Sequence, residues 1–168
     1  MKYILFVFSF LLMSASYSAL AQGHYESVTD PQTGNQLYRG DVTFQDLGSF
    51  NWLAEGYQNY QPDSEAIAYL KQHLGSYQLV VFLGTWCEDS HLLIPQLKKV
   101  LEAAGYPFEA LNMVAVDRMK TSPEGKEKQY NVQFVPTLIL MRDGKEAGRI
   151  VESVPQPLEK ELVKMIMQ

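Results

Sequence analysis

Leu79-Val80-Val81-Phe82-Leu83-Gly84-Thr85-Trp86-Cys87-Glu88-Asp89-Ser90-His91 runs from an unbroken apolar segment into the first turn of a helical pattern. Consecutive apolar residues without alternation describe a strand buried on both faces, as in a parallel or mixed sheet covered by helices. Beyond it, Leu93, Leu97, Val100, Leu101 and Ala104 form an apolar stripe at helical spacing, with Lys98, Lys99 and Glu102 outside it and Gly105 as the stop. Cys87 therefore lies at a strand-to-helix junction, where helix N-terminal amides and the macrodipole favour a thiolate. It is the chain's one cysteine, so it closes no disulfide within the chain. The fold must hold by packing, and the thiol is inert in the core, reactive, or a bridge to another molecule.

Working outward, Leu111 to Val116 predicts a second buried strand, followed by a short helix near Pro123 capped by Thr121 or Ser122. Thr137 to Met141, the turn Arg142-Asp143-Gly144-Lys145 and Glu146 to Val151 predict a hairpin with an Asp-Gly signal. Leu158, Leu162, Met165 and Ile166 give a last helix its apolar face. Upstream, residues 23–40 are polar and turn-rich and read as an entry arm, with a short strand at Val42-Thr43-Phe44. Ser49 is expected to cap a helix carrying Phe50, Leu53 and Tyr57, and Asp63 another carrying Ile67, Tyr69, Leu70 and Leu74. Phe50, Trp52, Tyr57, Tyr60 and Tyr69 are read as packing groups, since such rings dominate core burial. The expected class is α/β, a central mixed sheet flanked by helices with an N-terminal helical extension. The expected segments are 1–21, 22–76 and 77–168, the last two forming one compact unit.

Lys2, the apolar stretch Tyr3 to Met13 and the small residues ending in Ala19-Leu20-Ala21 have the three-part form of a secretory signal peptide. Cleavage after Ala21 would leave Gln22 first and place the protein outside the cytoplasm, in a periplasm or the extracellular medium. No stable membrane insertion is expected after cleavage, because the apolar core is short for a bilayer span. The chain carries a formal charge of −5 at pH 7, and removal of Lys2 makes it more negative. That balance argues against nucleic acid as a partner.

With these residues in hand, the region from about Leu79 to the C-terminus resembles the thioredoxin superfamily. A hydrophobic strand leads to Trp86-Cys87-x-x-Ser90; Pro95 follows the cysteine by eight residues, where thioredoxins kink the active-site helix; Phe134-Val135-Pro136-Thr137 resembles the loop bearing the family's cis-proline; the Asp143-Gly144 hairpin and a last helix follow. The resemblance implies a thioredoxin-like fold in which Val135 and Pro136 form one wall of a peptide groove beside Cys87, with Trp86 also at the substrate. Three departures bear on chemistry. Ser90 replaces the resolving cysteine, Val81 stands where thioredoxins carry a buried acid, and Glu88 and Asp89 replace a neutral spacer. The two acids suit a helix N-terminus but oppose a neighbouring thiolate.

The leading expectation is monothiol exchange. Cys87 attacks a mixed disulfide or a sulfenic acid, Ser90 donates to the thiolate, and His91, four residues on, favours the thiolate or takes its proton. Partners would be a thiol- or disulfide-bearing protein or a small thiol, with an external reductant and no cofactor. A catalytically silent peptide-binding module that keeps the groove is the alternative. Metal handling through Cys87, Glu88 and His91, or through Gln22-Gly23-His24 after cleavage, is a third reading built on incomplete ligand sets, and no metal is expected.

Overall fold

The computed structural model describes residues 24–168, so the expected signal peptide and the Gln22-Gly23 amine lie outside the described residues. The run read first forms β3 (Gln78–Leu83), at the middle of a six-stranded sheet. Its neighbours are β4 (Leu111–Ala115), parallel to it, and β5 (Thr137–Arg142), antiparallel, so the sheet is mixed. β6 (Lys145–Val151) closes one edge, its turn formed by Asp143 and Gly144, both at positive φ.

β3 has no solvent face. Leu79, Val81 and Leu83 point into a core shared with Met113, Ala115, Leu138 and Leu140, while Val80 and Phe82 point into a second core with Val114, Val116, Val132, Val135 and Ile139. The first core is roofed by α1 (Asn51–Asn59), α2 (Ser64–His73), α3 (Glu88–Ala104) and α5 (Leu158–Ile166). The second is covered by the segment that includes α4 (Lys126–Gln129) and runs to Pro136. The strand therefore alternates with period two and still reads as continuous apolar sequence, because both faces are core.

The extension departs from the helical expectation. Residues 24–40 are not a mere entry arm: β1 (Tyr25–Thr29) and β2 (Gln36–Val42) make a hairpin, and β2 pairs antiparallel with β4, adding two strands to the sheet. The turn residues Asp30-Pro31 and Gly34-Asn35 mark the hairpin loop and not a disordered lead; Asp30 accepts from Gln32 N and Thr33 Oγ1, and its backbone N–H donates to Asn35 O. β1 shows little burial, so the apolar pattern that would announce a strand is weak. Val42 ends β2, and Thr43 and Phe44 lie beyond it. Ser49 caps no α-helix: it closes a short 3-10 turn, and Phe50 is the N-cap of α1 without a side-chain bond. Asp63 does cap α2, accepting from Glu65 N and Ala66 N. The short helix near Pro123 begins at Lys126 after Gly125, and Ser122 Oγ accepts from Lys126 N.

Among the contacts that lock helices of the extension onto the rest are those of Glu159 and of Pro95. Buried Glu159 of α5 accepts from Tyr60 O–H and from Asp63 N, and burial with that acid raises the Tyr60 pKa. α1 packs on α3 where Pro95 sits inside the helix; Pro95 has no N–H for the His91 carbonyl, and α1 covers that gap with Gly56. A Cβ at Gly56 would stand 2.8 Å from Pro95 Cβ and Cγ, closer than packed carbons come, and the proline ring cannot swing aside. Gly56→Ala should therefore destabilise by on the order of 1–3 kcal/mol through overpacking, outweighing the ~1 kcal/mol that alanine gains within a helix. Urea unfolding would show it as a lower midpoint at unchanged slope. A raised midpoint would mean that α1 stands off Pro95.

Candidate active site

β3 and β4 are parallel neighbours, so the loops leaving their carboxyl ends emerge side by side. The first carries Gly84-Thr85-Trp86-Cys87 and the second Asp117-Arg118-Met119-Lys120. Cys87 is the N-cap of α3, with extended backbone (φ −100°, ψ 122°), and its carbonyl accepts from His91 N at 3.0 Å. Glu88 and Asp89, both in the first turn, stand where carboxylates complement the helix dipole.

The half-buried Cys87 thiol points across to the Val135 carbonyl, with Sγ to O at 3.3 Å, and the Val135–Pro136 bond is cis. A carbonyl only accepts, so this contact is made by the thiol and given up by the thiolate. The structure thus brings Cys87, Val135 and Trp86 together. Beside them Phe134 is about half exposed, while Val135 is buried.

Trp86 is fixed from three directions. Its Nε1–H donates to Val116 O at 2.9 Å, the Arg118 guanidinium lies 4.9 Å from its ring centre, and the Lys120 amine lies 5.7 Å away. Gly84 lets the ring fold back on the loop: a Cβ there would be 2.7 Å from the indole.

Ser90 and His91 serve the loop. Ser90 is fully buried, and its Oγ accepts from Gly84 N at 3.1 Å; that bond uses a lone pair and not the hydroxyl proton. His91 Nε2 lies 2.9 Å from Thr85 O, which fixes the proton on Nε2 because the carbonyl can only accept. The same ring stacks on Trp52 at 4.7 Å. Helical spacing places His91 one turn above Cys87, yet the spacing rule assumes helical backbone at both residues, and Cys87 is the extended N-cap. The ring's contacts are therefore with Thr85 and Trp52. Among the described residues, no group of three or more His, Cys, Asp or Glu side chains is arranged to hold a metal.

Several site residues are not among those the sequence motif singles out. Asp30, in the hairpin loop, is 2% exposed and receives Arg118 Nε and Nη2 on both of its oxygens at 2.8–3.0 Å. That bidentate bond holds the Asp30 pKa far below the usual carboxylate range. Asp117 braces the same loop by accepting from Met119 N, Thr121 N and Thr121 Oγ1, and it pairs with Arg39 of β2 at 3.2 Å. Tyr38 N donates to Thr85 Oγ1, tying β2 to the cysteine loop directly. Between these parts lies a cleft of about 310 Å³ lined by Asp30, Gln36, Trp52, Trp86, His91 and Arg118 among others. The parallel order of two buried strands would have placed residues 117–120 beside Cys87, since sites gather at the carboxyl ends of such strands. Asp30 had no comparable signal.

The family profile described as Thioredoxin matches residues 67–167. The chain belongs to the thioredoxin family. It is similar to a thioredoxin of Chlamydia trachomatis, 40% identical over 73 residues, a match spanning 44% of this chain and 66% of that protein, just under two thirds. Against thioredoxin H-type 1 of Nicotiana tabacum it is 30% identical over 98 residues, spanning 57% of this chain and 73% of the relative. Among solved structures it aligns with mitochondrial thioredoxin 3 of Saccharomyces cerevisiae at 24% identity and TM-score 0.39, covering 67% of this chain and 97% of that one. The hairpin, α1 and the first residues of α2 precede the matched region.

The Asp30 pair gives this edge a signed pH dependence. A carboxyl whose folded pKa is depressed contributes stability that is fully present above its unfolded pKa, about 3.9, and is lost as pH falls through the folded value. The stability gap between the unaltered protein and Asp30→Asn should therefore be widest near neutrality and narrow below about pH 4. Denaturation midpoints of both proteins at pH 7 and in acid would check this; a gap that widens in acid would contradict the bond geometry.

Proposed function

We propose that this thioredoxin-family chain is an exported monothiol exchange protein acting through Cys87. The observation that carries the reading is the accessible Cys87 thiol at the N-cap of α3, facing the Val135 carbonyl beside Pro136, with a buried Ser90 in place of a second cysteine. The Cys87 thiolate attacks one sulfur of a substrate disulfide, forming a mixed disulfide and releasing the other sulfur as a thiolate. An external thiolate then attacks the substrate's sulfur, pairing with it and returning Cys87 as thiolate. One disulfide is exchanged for another at each step, and the reducing equivalents come from the external thiol. A sulfenic acid is the alternative electrophile, losing water as the mixed disulfide forms.

Val135, Pro136 and Trp86 would line the substrate's path, with Ser90 and His91 shaping the loop that presents the sulfur. Glu88 and Asp89 would tune it by charge. Export to a periplasm or the extracellular medium follows from the leader pattern, and partners would be disulfide-bearing proteins or small thiols. One observation favours a silent peptide-binding module instead: Val81, at the family's buried-acid position, is wholly enclosed by apolar side chains and offers no proton acceptor.

Turnover of a small mixed-disulfide substrate with an external thiol separates the two readings. Exchange should vanish in Cys87→Ser, and a silent module would show none even in the unaltered protein. In Ser90→Cys, the mixed disulfide on Cys87 should resolve internally as the introduced thiol bonds to the Cys87 sulfur, read as a two-hydrogen mass loss with both thiols blocked to alkylation. Persistence of the adduct in that variant would place the two side chains outside bonding reach.

A further inference from the structure

The bonds at the thiol lead on to a second cleft. Val135 O faces the Cys87 sulfur; the next carbonyl, that of Pro136, accepts from Glu152 N at 2.7 Å; and Glu152 lines a cleft of about 170 Å³ together with Asp89, two residues after Cys87. That circuit closes on the cysteine, so the cleft between α3 and the chain leaving β6 is continuous with the site. Its walls include Leu92, exposed on α3, and Val154, packed against the first core. Asp89 and Glu152 are both exposed, and their carboxylates have no hydrogen-bond or ion-pair partner among the described residues.

Charge is divided across the cysteine. The sheet order β4-β3-β5-β6 puts the loop after β4 on one side of the strand that leads to Cys87 and the chain leaving β6 on the other. β6 runs antiparallel to β5, which runs antiparallel to β3, so β6 ends at the same end of the sheet as β3 does. On the β4 side the cations Arg118 and Lys120 stand over the Trp86 ring. On the β6 side the cleft carries the two acids. Its volume is below the roughly 300–1,000 Å³ of pockets that enclose small-molecule ligands, which suits a single long side chain. Lys and Arg lay an apolar stem along apolar surface while the charged head stays in water, and this cleft offers both environments.

We propose that the cleft receives a Lys or Arg side chain next to the disulfide cysteine of a polypeptide substrate, with its stem on Leu92 and Val154 and its charge at Asp89 and Glu152. This rests on Cys87 as the group the substrate meets, and it names the substrate class of that site: an extended polypeptide with a basic residue flanking its cysteine. Arg118 and Lys120 oppose a basic residue on the other flank, so the division of charge also sets the direction in which the substrate lies.

The test uses short peptides whose one cysteine is joined in a disulfide to nitrothiobenzoate, with Lys, Gln or Glu beside that cysteine. Attack of the Cys87 thiolate on the peptide sulfur forms the mixed disulfide and releases the coloured nitrothiobenzoate thiolate, followed with the full chain at low salt. The Lys peptide should react about threefold faster than the Gln peptide, and the Glu peptide slower, the scale of one or two solvent-facing ion pairs. Asp89→Asn combined with Glu152→Gln should bring the Lys-to-Gln ratio close to one, and Glu152→Lys should reverse it. Taking the ratio cancels any change these variants make in the thiol itself. Glu109→Gln, in the turn entering β4 at the opposite end of the sheet, removes the same charge as Glu152→Gln and should leave the ratio unchanged. A fall as large as in Glu152→Gln would mean general attraction to an acidic protein and would overturn the proposal, as would equal rates for the three peptides. Should no peptide react, the exchange reading fails and binding decides this one. The same peptides with Ser in place of Cys, titrated by calorimetry, should then bind in the order Lys, Gln, Glu; equal or undetectable affinities would overturn it.

Discussion

Burial of β3 on both faces is the constraint from which the rest follows. A strand with no solvent side needs a hydrogen-bonded neighbour on each edge and helices or loops over each face, and β4, β5, the four-helix roof and the segment ending at Pro136 meet those needs. Its carboxyl end must then turn out of the core at one place. Gly84 makes that turn, Ser90 and Thr85 hold it, and Cys87 arrives at the carboxyl-terminal end of the strands as the first residue before a helix. The placement of the thiol is thus a packing result before it is a chemical one.

That end of the sheet is where the extension does its work. Hairpin β1–β2 could have been joined to the sheet by backbone pairing with β4 alone. It also sends Asp30 and Arg39 to the loop after β4 and Asp41 to Lys126. Exposed pairs of this sort contribute little each. Asp30 differs in being enclosed and bidentate, and losing one partner there would leave the other buried without its counter-charge. The hairpin and the cysteine loop are therefore coupled through one arginine and one hydroxyl, Arg118 and Thr85.

What the sequence disclosed and withheld divides along physical lines. β3, α3 and the β5–β6 hairpin were legible because periodicity, an αL glycine and an Asp-Gly turn are local signals, whereas the Val135-Pro136 loop was legible through the family resemblance. The hairpin β1–β2 was not, since a thin edge hairpin held by polar contacts shows no apolar alternation, and its Asp-Pro and Gly-Asn turns read equally as loop. Ser49 suited an N-cap by residue type, yet a 3-10 turn ended on it. The Asp30–Arg118 pair joins residues far apart in sequence, and no pattern within a window can announce such a bond.

Ser90 shows how a departure from a family motif can be read as more than a loss. A cysteine there would offer sulfur, a weak acceptor, to the Gly84 N–H, whereas the serine oxygen accepts it at 3.1 Å inside a fully buried pocket. A buried N–H without a good acceptor is costly, so the hydroxyl secures the turn that carries Trp86 and Cys87. His91 acts to the same end through Thr85 O and the Trp52 stack. The site gives up the second sulfur and gains a loop fixed at its hinge, its middle and its helix start. Such a loop presents a single thiol in one orientation, which suits chemistry in which resolution comes from outside the protein.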